Sequence, residues 1–153
     1  MSIFDTYKTS KDLETRGISF TPDSSTIITL ARAGGQNKKF QKVIDRLSKP
    51  FRHQIRKGTL DAELDRKITA EAFAEAVVLN WETIVGETAH VGIMADPSNP
   101  SGYDSEPNEH GLVPVTKHNI MRTFKLLPDL LNDCMEQSQL VSNFQQTEGD
   151  AGN

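Results

Sequence analysis

The sequence predicts a mainly α (α+β) protein. A small N-terminal β-hairpin precedes a bundle of three to five helices that carries a long, acidic, Pro/Gly-rich loop. Two β-branched segments flank a turn near residues 18–31, and apolar residues recur at spacings of three and four in three later stretches. Between the last two of those stretches, thirty residues show no such rhythm. A chain of 153 residues suits one domain, placed at 1–144 with a polar, flexible tail at 145–153.

Residues 1–17 are polar and weakly patterned. Ile18 and Phe20 alternate with Ser19, and Thr26 to Ala31 is β-branched and apolar. Pro22-Asp23-Ser24-Ser25 between them has turn chemistry, which predicts a hairpin over about 17–32. Ala33-Gly34-Gly35 ends it, and Asn37 can cap a helix over about 37–57. Phe40, Val43, Ile44, Leu47, Phe51 and Ile55 form its apolar stripe, opposite seven cations. Pro50 lacks an N–H and crowds the preceding turn, so a kink is expected near Ser48-Lys49.

An Ala-, Glu- and Leu-rich stretch predicts a second helix over about 61–84, with Leu64, Ile68, Phe73, Val77, Trp81 and Ile84 on a drifting apolar face. Residues 86–115 contain four prolines, four glycines, five acids and no Lys or Arg, and read as a long loop. Thr116 caps a third helical region over about 117–144, where Ile120, Phe124, Leu127, Leu131 and Cys134 mark the apolar face and Pro128 restarts the helix.

The net charge of -4 conceals strong segregation. Nine basic residues and one acid give +8 over 31–58, whereas two basic and eleven acidic residues give -9 over 59–115. A sided helical surface of this kind suits a protein partner, while overall acidity disfavours nucleic acid. No apolar run approaches the roughly 20 residues of a membrane span, so no membrane association is expected. One cysteine, Cys134, makes no internal disulfide and fits a reducing compartment.

Catalytic signatures are missing. Gly34-Gly35 precedes a helix, yet the phosphate-cradling Lys-Ser/Thr pair does not follow, so a tight turn is the simpler reading. His53, His90, His110 and His118 sit in no zinc-binding spacing, and the acids at 104–109 do not match a calcium loop. The expectation is a protein that is not an enzyme, with no cofactor and no metal.

Four stretches carry a family resemblance. They are Phe4-Asp5-Thr6-Tyr7-Lys8 with Asp12-Leu13-Glu14 and Gly17; Ile28 to Phe40 continuing to Leu47-Ser48-Lys49-Pro50-Phe51-Arg52; Ala74 to Trp81; and Asn119 with Leu127-Pro128-Asp129-Leu130-Leu131 and Phe144. In order and spacing they resemble the tail assembly chaperones of tailed bacteriophages, across nearly the whole chain except 86–115. The resemblance implies a non-catalytic late protein of the host bacterial cytoplasm, absent from the mature virion. Its implied partners are the tape measure protein and the major tail protein, with a homo-oligomer compatible. A structural virion component of the tail-completion or connector kind is the alternative, followed by a nucleic-acid-binding regulator.

A chaperone for long helices needs an open apolar groove bordered by charge. Phe51, Ile55, Phe73, Trp81, Phe124 and Leu131 are the candidates for lining it, and Lys42, Arg46 and Arg52 are the candidate basic contacts.

Overall fold

The computed structural model describes residues 2–145, so the expected tail beyond Gln145 lies outside the described residues. Two short helices open the chain, α1 (Ile3–Tyr7) and α2 (Lys11–Arg16), in the stretch whose sequence showed little pattern. Both begin at serine caps: Ser2 with Asp5 forms a capping box, and the Ser10 hydroxyl accepts from the Leu13 N–H. Gly17 ends α2 with φ at +94°, and a Cβ there would sit 2.9 Å from the Leu79 side chain and 3.0 Å from the Leu30 carbonyl oxygen.

The hairpin is β1 (Ile18–Asp23) and β2 (Thr26–Leu30), turned by the Asp23 carboxylate, which accepts from the Ser25 N–H at 2.9 Å. The first helical region is α3 (Lys38–Ser48), a single 3-10 turn at Lys49–Phe51 where Pro50 interrupts it, and α4 (Arg52–Lys57). Gly58, in the left-handed conformation, closes α4.

The expected bundle is wrong beyond this point. Helix α5 (Ala62–Ala76) stops eight residues short of the expected end at 84, and Val78–Val85 is a strand, β3, at the interior of a four-stranded antiparallel sheet in the order β1-β2-β3-β4. The fold is therefore a mixed α+β fold rather than a hairpin with a helical bundle. The reason is local chemistry that an apolar tally at helical spacing conceals. Val77, Val78, Thr83, Ile84 and Val85 are β-branched, stiff at χ1 and at home on a pleated surface. A bulge between Thr29 and Leu30 in the register shifts the face, so that Val78, Trp81 and Thr83 are all buried while Leu79 is exposed.

The expected loop 86–115 contains three short strands, with turns and irregular backbone between them. It contributes β4 (Thr88–Val91), β5 (Ile93–Met94) and β6 (Leu112–Val113), with β5 and β6 forming a separate antiparallel pair. Its turns are tied to α6 (Lys117–Leu126). The fully buried Asn119 side chain accepts from the Asp104 N–H at 3.0 Å and donates to the Asp104 carboxylate at 2.7 Å and the Pro114 carbonyl at 2.9 Å. Arg122 donates to the Ser101 carbonyl at 2.7 Å and lies 4.8 Å from the Tyr103 ring centroid. The acids of this segment are thus partly committed to holding the chain's own turns. Asn119→Ala is expected to cost about 2–3 kcal/mol by orphaning these groups. Limited proteolysis should then cut first between residues 95 and 111.

Leu127 separates α6 from α7 (Pro128–Gln139), and a 3-10 turn at Val141–Phe144 follows, so the third helical region is broken into three pieces. The α5, α6 and α7 helices cover one face of the sheet. Phe20, Ile28 and Trp81 lie opposite one another across β1, β2 and β3 and meet Phe73, Ile120, Phe124 and Leu131 from the helices. Gln145, assigned to the tail by sequence, instead donates through its side-chain amide to the carbonyls of Thr6 (2.9 Å) and Asp5 (3.2 Å) and holds α1.

Candidate partner-binding surfaces

Of the expected groove residues, Trp81, Phe124 and Leu131 are 3%, 0% and 1% exposed. All three belong to the core, with the Trp81 and Phe124 rings 6.1 Å apart, and of them only Trp81 borders an open surface, the cleft described below. For Phe73, Phe124 and Leu131 burial corrects the expected groove-lining role. An amphipathic stripe points equally well to a core face and to a docking face, and only packing separates them.

Phe51 and Ile55 behave differently. The whole of α4 is exposed, and Ile55 keeps 44% of its surface in solvent while Phe51 is half-buried. Helix α3 is anchored through Val43, Phe40 and Leu47 against Ala72 and Ala76 of α5, but α4 runs past that anchor. The two helices therefore make an arm with a projecting tip.

Its charges divide into two groups. Arg46 is spent on an internal contact, with its guanidinium on both Glu75 carboxylate oxygens at 2.6 and 2.7 Å. Lys117 reaches the same carboxylate and Glu71, the latter at 3.0 Å, so two cations and two acids join α3, α5 and α6. Lys42, Arg52, Arg56 and Lys57 are exposed and, among the described residues, make no ion pair. The segregation between +8 and -9 is thus partly neutralised within the chain, and the cations of the tip are not.

Lys117 and Arg46 hold the Glu75 carboxyl below the ordinary glutamate range, and Glu75 raises Lys117. The stability tied to Glu75 is present above its unfolded pKa and drains as pH falls through the lower folded value; the share tied to Lys117 is full below its unfolded pKa and is lost as pH rises through the raised one. Glu75→Gln is expected to cost about 1 kcal/mol at neutral pH. It should also flatten the acid limb of the stability profile, measured by urea melts across the acidic range.

Gly34-Gly35 proves to receive an anion, but from the chain itself. Glu14, 1% exposed, accepts from the Gln36 N–H at 2.8 Å, the Arg32 guanidinium at 3.1 Å and the Thr9 hydroxyl at 2.5 Å. Gly35 has φ at +53°, and a Cβ there would come within 2.7 Å of the Glu14 carboxylate. Sequence reading missed this partner because Glu14 lies twenty-two residues from Gln36.

A second surface has no counterpart among the expected residues. A cleft of about 710 Å³ opens between the β1-β2 turn, β5 and the junction of α6 with α7. Trp81 and Ile93 form its apolar floor, and the exposed Met94, Leu126 and Leu127 stand at its lips. Asp23, Asp96, Asp129 and Asp133 line it, and among the described residues no Lys or Arg does. Asp23 and Asp96 are held below the ordinary aspartate range, chiefly by a backbone hydrogen bond from Ser25 and by the Ser98 hydroxyl respectively, so both stay ionised.

His90 and His110 stack with ring centroids 4.5 Å apart beside Glu109, although twenty residues separate them. Among the described residues no three His, Cys, Asp or Glu side chains gather as a metal site. Cys134 is fully buried, and burial pushes its thiol up to about 12, the reverse of what a nucleophile needs. No helix among the described residues is long and apolar enough to cross a membrane.

Residues 35–152 match the sequence model of the YdaY prophage protein family, a span that takes in the arm, β3 to β6 and α5 to α7. The chain belongs to this family. Its origin is therefore phage-derived, as the tail-protein resemblance implied at the coarse level, while the family description carries no assembly role. No curated protein and no solved structure matches the chain. The family span begins at Gly35, so the β1-β2 hairpin lies outside it and the Asn37 cap and the whole arm lie inside.

Proposed function

We propose that this prophage protein is a tail assembly chaperone, a non-catalytic protein of the host bacterial cytoplasm that binds the tape measure protein, assists tail-tube assembly with the major tail protein, and is left out of the virion. The observation that carries this reading is the α3-α4 arm, where Ile55 and Phe51 stand among the exposed cations Lys42, Arg52 and Arg56. A side chain such as Ile55 gives a partner helix an apolar anchor, and the cations around it set orientation and keep the surface soluble. Membership of a prophage family and the ordered string resemblance to tail assembly chaperones support the same reading.

The test is co-expression with the tape measure protein encoded in the same prophage. The chaperone raises its soluble yield and co-purifies with it, and Lys42→Glu, Arg52→Glu and Ile55→Ser together abolish the capture without changing the circular-dichroism spectrum. Arg46 is left out of that set because its reversal would break the contact with Glu75. Stoichiometric presence in purified virions would instead identify a structural tail component. Low-salt binding to DNA with a steep salt dependence would identify a regulator.

A further inference from the structure

The cleft and the arm tip are complementary in both polarity and charge. The cleft offers an apolar floor with four aspartates and, among the described residues, no lining cation, and Arg122 lies near enough to Asp96 to favour its charge. The tip offers one exposed aliphatic side chain, Ile55, with Arg52, Arg56 and Lys57 around it on a helix that is exposed throughout. The two surfaces share no residue.

We propose that the cleft receives the arm tip of a second copy of this chain, with Ile55 entering between Met94, Leu126 and Leu127 while Arg52, Arg56 and Lys57 meet the aspartates. Such a contact is heterologous: each copy supplies a tip to one neighbour and a cleft to another, so copies add head to tail. Two features of the fold prepare it. The cleft lips leave apolar surface in water that a neighbour would cover, with Met94 and Leu127 each 53% exposed. The opposed charges also give long-range attraction between copies, which salt weakens. The chaperone reading is not required for this contact; both use Ile55 and Arg52, so a tip seated in a neighbour's cleft is closed to the tape measure protein, and the aspartate variant, whose tip is intact, tells the two apart.

Sedimentation velocity over a concentration series reads the outcome. Wild-type protein is expected to show a mass that grows with concentration and falls as salt rises. Ile55→Ser with Arg56→Ser, and separately Asp129→Asn with Asp133→Asn, should each weaken self-association about tenfold or more. All four side chains are exposed, so thermal melts should match wild type.

Mixing the two variants is the sharper measurement. One retains an intact cleft and the other an intact tip, so the mixture should form one-to-one dimers and nothing larger. A wild-type protein that stays monomeric at low salt at its highest soluble concentration would overturn the proposal. Loss of association in the tip variant but not in the cleft variant would overturn the cleft as the receptor. If copies do not associate and the aspartate variant loses the tape measure protein, the occupant is that phage partner and the self-contact is wrong.

Discussion

Phe124→Ala is expected to lower the free energy of unfolding by about 3–5 kcal/mol. Phe124 is fully buried, touches Trp81 across the interface between helices and sheet, and lies in the one large cluster that joins β2, β3, α5, α6 and α7. Truncation removes the transfer energy of the ring and leaves a cavity that the rigid strands on one side cannot fill. Against a typical total of about 5–15 kcal/mol, this is a large share. Urea denaturation reads it as a lower midpoint with an unchanged slope. A variant within about 1 kcal/mol of wild type would show that Phe124 is not a core residue, and would reopen it as part of a binding groove.

Glu14→Ala should cost a comparable amount, about 3–5 kcal/mol. The loss is less the worth of the ion pair than the cost of what remains. Arg32 would stay largely buried with its charge uncompensated, and its Nε atom is already without a partner. The Gln36 N–H at the entry to α3 would lose its acceptor as well. The same cluster links the two ends of the described chain, since the Arg32 guanidinium lies 5.5 Å from the Phe144 ring centroid and the Ser10 N–H donates to the Phe144 carbonyl at 2.7 Å. Glu14→Ala should therefore also speed hydrogen exchange in α2 and around Phe144. Replacing Glu14 and Arg32 together with apolar residues of similar volume should cost less than removing Glu14 alone, because no charge is then stranded.

Physical chemistry explains which elements the sequence disclosed. The β1-β2 turn, the Asn37 and Thr116 caps, the interruption at Pro50 and the restart at Pro128 all depend on residues within a few positions of one another. Interactions of that range are written directly in the order of side chains. The sheet interior was not legible because β3 makes its hydrogen bonds with strands on both sides, one of them some fifty residues away: Ile28 opposite Trp81. Adjacent helix-forming alanines then extended an apparent helical rhythm into a β-branched run. The same blindness hid the ties that Asn119 and Arg122 make to residues 101–104, which pin a Pro/Gly-rich segment to α6.

The candidate surfaces divide in the same way. The segregation of charge and the cationic stripe opposite Ile55 were legible in the order of residues. Those follow from which side chains occupy neighbouring positions on one helix. Packing alone turns Trp81, Phe124 and Leu131 inward, holds Arg46 on Glu75, and brings Asp23, Asp96 and the α7 pair Asp129 and Asp133 to the border of one cleft. Burial and charge pairing depend on what another part of the chain brings alongside. A stripe on a helix specifies that one face must be covered, whereas the packing of the sheet against α5, α6 and α7 decides whether the cover is the chain itself or a partner.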